Sequence, residues 1–207
     1  MEVSKLIYFL SFSIMLTLVP GPDMLFVVTQ SISQGKKAGI ATAMGLSTGV
    51  LVHSTAAAIG ISAILHESVV AYKVLKYAGG LYLLFLAWKA FKERNCSLVE
   101  AESYEIGDML SLYRKGIVMN VLNPKVALFF LALLPQFVTK GSFSVPIQMI
   151  ILGVIFMIQS MVIFFIISIF SEMLRNSLLN KPNISKKINL VKTGVFALIG
   201  VTFFFSK

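Results

Sequence analysis

The sequence predicts an all-α integral membrane protein of about six transmembrane helices, and three observations carry that prediction. Of the 207 residues, 57% are hydrophobic and 13% charged, against roughly 45–50% and about 25% in a soluble domain. The apolar residues fall in blocks of roughly 20, the length an α-helix needs to cross a hydrocarbon core of ~30 Å. The mean hydropathy is +0.87, and most of the remaining charges stand at the ends of the blocks. A single transmembrane domain spanning 1–207 is expected: repeat one over about 1–92, a connector over about 93–112 and repeat two over about 113–207.

The expected spans are 6–28, 39–65, 69–90, 115–139, 145–171 and 190–206. Lys5 precedes the first block as it would in a signal peptide, but no small-residue cleavage site follows, so 6–28 is read as a retained span. Pro20, Gly21 and Pro22 interrupt it, followed by Asp23, the only acidic residue between Glu2 and Glu67. Two prolines withhold amide donors and glycine loosens the backbone, so the helix is expected to break there. In the second block Ala41, Gly45, Gly49, His53 and Ala57 recur every fourth residue. Gly45 and Gly49 form a GxxxG pair, a packing face that turns His53 toward other helices. The third block ends in aromatics, with Tyr82 and Trp88 read as interface anchors or lipid-facing packing. Asn123, Pro124 and Lys125 interrupt the fourth, and Gln159 sits among Met, Ile and Phe in the fifth. The sixth is short and carries Lys192 near its start, so a final segment lying in the interface is its rival.

Six spans place twelve basic residues on or beside the loops 29–38, 91–114 and 172–189, and five on the opposite side, with Lys125 inside a span. The positive-inside rule then puts both termini outside the cytoplasm. "GPDMLFVV" from Gly21 aligns with "NPKVALFF" from Asn123, matching Pro22 with Pro124 and Asp23 with Lys125. "LKYAGGLYLLFLAWK" (75–89) likewise resembles "VKTGVFALIGVTFFFSK" (191–207). Three spans per half is an odd number, so the halves would run in opposite directions, as two inverted repeats with broken helices at their interface.

Asp23 and Lys125 are the two charges expected deep in the membrane. A carboxylate there costs ~2.5–3.5 kcal/mol on the insertion scale and needs a partner, a cavity or a task. Asp23 could cap the helix that restarts after Pro22, carry a proton or bind an ammonium, because burial opposes its ionisation while a nearby cation favours it. Lys125 stands about nine residues into its span, ~14 Å along a helix. It either pairs with Asp23 or faces a polar cavity. Together with the half-helix N-termini, the two charges would suit a zwitterion. His53 is read as a hydrogen bond across the bundle or a proton relay, and Gln159 and Asn120 as interhelical hydrogen-bonders or pathway residues.

The formal charge of +9 does not signal nucleic acid, since the basic residues lack an aromatic-rich polar surface around them. Glu93, Glu100, Glu102, Glu105 and Asp108 form a solvated connector and not a metal site, with no His and one Cys among them. That Cys96 is the sole cysteine and can form no internal disulfide. No phosphate loop, nucleophile–base arrangement or metal cluster is present in the sequence, so neither a cofactor nor an ATP-driven pump is expected.

"PGPD" (20–23), "SQGKKAGIATAMGLSTGVLVH" (33–53) and "NPKVALFFLALLPQF" (123–137), in this order along the chain, resemble the LysE/RhtB family of bacterial amino-acid exporters. The resemblance implies a multi-pass secondary exporter of the bacterial inner membrane, driven by the proton motive force and compatible with a homodimer. Its expected partners are an amino acid, protons and membrane lipid. Pro20, Gly21 and Pro22 match the first family motif, and Asn123, Pro124 and Lys125 the second. The family often has Asn where this chain has Asp23, which resembles the threonine-exporter branch and points to small neutral or hydroxylated substrates such as threonine or homoserine. The alternatives are a cation or metal transporter of the same superfamily, which should hold several intramembrane acids where this chain has one, and a membrane-embedded enzyme using Asp23 and His53, which lacks a second acid or nucleophile.

Overall fold

Pro20 and Pro22 supply no backbone N–H, and the first apolar block accordingly divides into two helices, α1 (Val3–Leu18) and α2 (Pro22–Gln34), bent by 55°. The computed structural model describes residues 2–67, 69–92, 108–139 and 143–173, together with the single residues Thr193, Ala197 and Val201. Gly35, at a φ of 86° open only to glycine without strain, turns the chain from α2 straight into α3 (Lys36–Glu67). After α3 come α4 (Val69–Lys92) and α5 (Met109–Val121). Pro124 then starts α6 (Pro124–Leu128), which continues as a π-helical turn (Phe129–Leu133) and a 3-10 turn (Leu134–Phe137). The bend between α5 and this second half is 49°, and α7 (Val145–Met173) closes the order. No strand occurs among the described residues.

The first five expected spans are helical, with ends shifted by up to six residues, and both Pro-containing ones are bent pairs. The second half of the chain enters its first helix earlier than expected, at Met109, because the Asp108 carboxylate accepts from Ser111 N at 2.7 Å and caps α5. The sixth expected span lies outside the described residues, apart from Thr193, Ala197 and Val201, each of which is helical. So does the connector from 93 to 107. Among the described residues two helical stretches, Lys36–Gly60 and Val145–Ser171, are long and apolar enough to cross a membrane alone, and four if each bent pair is one span. This is the architecture of a multi-pass membrane protein.

α3 is the central helix, running along both α5 and α7, while α2 packs on α3 and α7. Helices in lipid gain little from the hydrophobic effect and associate through close packing and hydrogen bonds, which small residues permit. The α3–α5 contact works this way. A Cβ at Gly45 would run into the Tyr113 carbonyl, and one at Gly116 would stand 2.6 Å from the Thr42 carbonyl. The GxxxG face of α3 is therefore a packing face. An aromatic cluster fills the space beside the second break: Phe130 meets Phe156 edge-on at 5.3 Å and Phe9 meets Phe137 at 5.3 Å. The outward faces remain apolar, as lipid contact requires, with Ile158, Val162 and Ile166 of α7 and Trp88 of α4 about half exposed.

Candidate functional site

A proline removes the donor for the carbonyl four residues earlier, so the position of each break names the acceptor it frees. Pro20 frees the carbonyl of Leu16; Pro124 removes the donor four residues on from Asn120 O, which accepts from Asn123 N at 2.9 Å instead. The fold supplies a side chain to each. Lys125 Nζ donates to Leu16 O at 3.0 Å and to Val19 O at 3.1 Å. His53 Nε2 stands 2.9 Å from Asn120 O, and since a carbonyl can only accept, Nε2 carries the hydrogen. The His53 ring also stacks on Phe130, centroids 6.0 Å apart.

Helix ends set which sign of charge belongs where. Asp23 occupies the first turn of α2, where the positive end of the helix dipole favours an anion, and the Lys125 ammonium lies against the carbonyl end of α1, which favours a cation. Asp23, Lys125, Asn120 and Asn123 are all buried. The carboxylate does not cap its own helix. Asp23 Oδ2 accepts from Asn120 Nδ2 at 2.7 Å across the bundle, and Oδ1 has no hydrogen-bond partner. Asn123 does cap: its Oδ1 accepts from Lys125 N at 3.0 Å at the start of α6, leaving Nδ2 buried and unpartnered.

These groups surround one cavity of about 10 Å³, lined on its polar side by Asp23, Lys125, Asn120, Thr17 and Ser160. Leu46, Val50, Val126, Phe156 and Phe164 form its apolar side. A space of that size holds about one water. Gln159 reaches the rim, its Nε2 donating to Thr17 Oγ1 at 3.0 Å while its buried Oε1 has no partner. Unpartnered buried polar atoms are uncommon and call for an explanation, such as a ligand or water. Here Asp23 Oδ1, Asn120 Oδ1, Asn123 Nδ2 and Gln159 Oε1 belong to the same group of neighbouring side chains.

The structure thus brings Asp23 and Lys125 to one cavity, holds Asn123 and His53 behind it, and sets Gln159 at its edge. Asn120, expected as an interhelical hydrogen-bonder or a pathway residue, bonds from α5 to Asp23 of α2 and also lines the cavity. Its place four residues before Pro124 was the available signal. Ser160 was missed altogether; its position midway between Phe156 and Phe164 on one face of α7 could have marked it.

A profile of the LysE type translocators matches residues 14–207. A homoserine/homoserine lactone efflux protein of Salmonella typhimurium is 28% identical over 191 residues, 91% of this chain and 90% of its own length. A leucine efflux protein of the same species is 28% identical over 126 residues, 61% of this chain and 59% of its own. An uncharacterised membrane protein of Bacillus subtilis is 27% identical over 189 residues, 86% of this chain and 90% of its own. No solved structure matches.

Proposed function

The chain belongs to the LysE type translocators, and from that premise we propose that it exports amino acids across the bacterial inner membrane by alternating access around the two helix breaks, using the proton motive force. The observation that carries this reading is the cavity that Asp23 and Lys125 both line. The substrate ammonium is drawn to Asp23 and its carboxylate to Lys125, while the apolar wall accepts the side chain. Asn123, His53 and Gln159 belong to the same pathway, His53 by holding the end of α5 and Gln159 through Thr17.

A cavity of about 10 Å³ is far too small for an amino acid, so this conformation is closed at its centre and transport needs the breaks to separate. Lys125 leaves the α1 carbonyls for the substrate carboxylate, and Asp23 leaves Asn120 for the ammonium. The exchange keeps every charge partnered, which is what a low-dielectric site demands. Two inverted three-helix repeats, with six helices in all, give the motion its two directions. The names of the efflux relatives, for homoserine and for leucine, support an amino acid; Asp23 favours threonine or homoserine, and the working unit is a homodimer. Everted vesicles carrying the protein should accumulate such an amino acid under an imposed proton gradient. Failure to accumulate any member of a broad amino-acid panel would overturn the proposal.

A further inference from the structure

A second concavity, of about 530 Å³, opens on the surface between α2 and the first half of α5, away from the central cavity. Its wall is ordered along α5. Asp108 and Ser111 stand at the outer end, Arg114 and Lys115 one turn further in, and Val118 and Met119 a turn beyond them, with Phe26 of α2 also on the wall. Spacing explains the order: Ser111, Lys115 and Met119 form one fourth-residue ridge, and Leu110, Arg114 and Val118 the next. From Asp108 to Met119 a helix rises ~16 Å, about half of a bilayer core. Leu110 is 53% and Val118 55% exposed, so this ridge faces the surroundings of the bundle, and both cations are exposed beside it.

We propose that this groove binds one anionic phospholipid with a hydroxylated headgroup, of the phosphatidylglycerol type, in the cytoplasmic leaflet. The chemistry follows the wall. Headgroup hydroxyls donate to the Asp108 carboxylate, whose Oδ1 already holds Ser111 N. The phosphodiester sits on Arg114 and Lys115, where Arg offers a planar fork and Lys a point charge. An acyl chain then runs down Val118 and Met119 toward the midplane. Cations near an anionic leaflet are attracted to it, and the expected orientation puts Arg114 and Lys115 on the cytoplasmic side. Two cations against one carboxylate leave the wall at a net +1, which an anionic lipid neutralises and a net-neutral choline lipid does not. The methylated choline cation, which would lie at Asp108, also offers that carboxylate no hydrogen-bond donor.

Native mass spectrometry of the full-length protein in detergent, titrated with phosphatidylglycerol or phosphatidylcholine of the same acyl chains, tests the assignment. Wild type should bind phosphatidylglycerol about tenfold more tightly or better. Arg114→Gln and Lys115→Gln should each weaken it about fivefold, and together about 30-fold. Val118→Trp, which fills the groove and leaves both cations, should also weaken binding, which keeps the test decisive if the double variant does not fold. Lys89→Gln with Lys92→Gln, at the end of α4, should change nothing. Equal binding of the two lipids, unchanged binding in the groove variants, or an equal loss in the α4 variant would overturn the proposal.

Discussion

At the first break Pro20 leaves Leu16 O without a helical donor and an ammonium from the far half of the chain replaces it; at the second, Pro124 takes one donor from Asn120 O, which accepts from Asn123 N instead and gains the His53 imidazole of α3 as a second donor. The second break also caps itself, through Asn123 Oδ1 on Lys125 N, whereas Gly21, the cap position of the first, has no side chain to offer. A Cβ at Gly21 would stand 3.3 Å from Lys125 Nζ, tight for a neighbour, so glycine there also makes room for the lysine. The difference teaches that the first break depends on the second. Lys125 is fixed by the cap of its own half and lends its charge to the other.

The dependence is broken most completely by Lys125→Ala, which leaves Leu16 O and Val19 O buried without Lys125 and removes the cation that lines the cavity with Asp23. It should destabilise the protein by about 3–5 kcal/mol, read as loss of monodisperse protein and a lowered melting temperature in detergent. A melt equal to wild type would mean that the first break holds itself. Asp23→Asn comes next. It keeps the shape and a hydrogen bond to Asn120, so the fold should survive while export in everted vesicles falls about tenfold or more. Full export with an unchanged pH dependence would make the carboxylate a structural partner only.

His53→Phe preserves the stack on Phe130 and removes the donor to Asn120 O. Because Asn120 O keeps Asn123 N, it should cost about 1–1.5 kcal/mol of stability, with His53→Gln recovering part of it, and equal melts for Phe and Gln would show that the donor does not matter. The smallest effect is expected of Asn123→Ala, which removes the cap of α6 at about 1 kcal/mol. If its melting temperature fell as far as that of Lys125→Ala, the cap and not the ammonium would be holding the two breaks together.

Much of this was legible in the residues. Hydropathy blocks gave the helices to within several residues, because lipid leaves a backbone no alternative to internal hydrogen bonding. Prolines gave the breaks, and GxxxG gave the face of α3 that meets α5. Of the roles open to Asp23, the cap of α2 is not made. Local chemistry favours an Asp in a first turn bonding to the amides beside it, but Asn120 Nδ2 competes from 97 positions away and takes Oδ2. The start of α5 was placed late because charge in 108–115 looked like connector, when Asp108 is a cap and Arg114 and Lys115 stand on the exposed side of a helix.

The sequence by itself determined the apolar helices, the two breaks, the carbonyls that each proline would free, and the opposite charges that follow them. These are local consequences of backbone chemistry within four residues of a proline. Only the tertiary structure decided which donor meets which carbonyl. Lys125 reaches Leu16 over 109 positions and His53 reaches Asn120 over 67, distances over which no local rule operates. Packing of α3 against α5 brings His53 to the second break, and the crossing of the two halves brings Lys125 to the first. The need for a partner is written in the chain; the partner is chosen by where the helices cross.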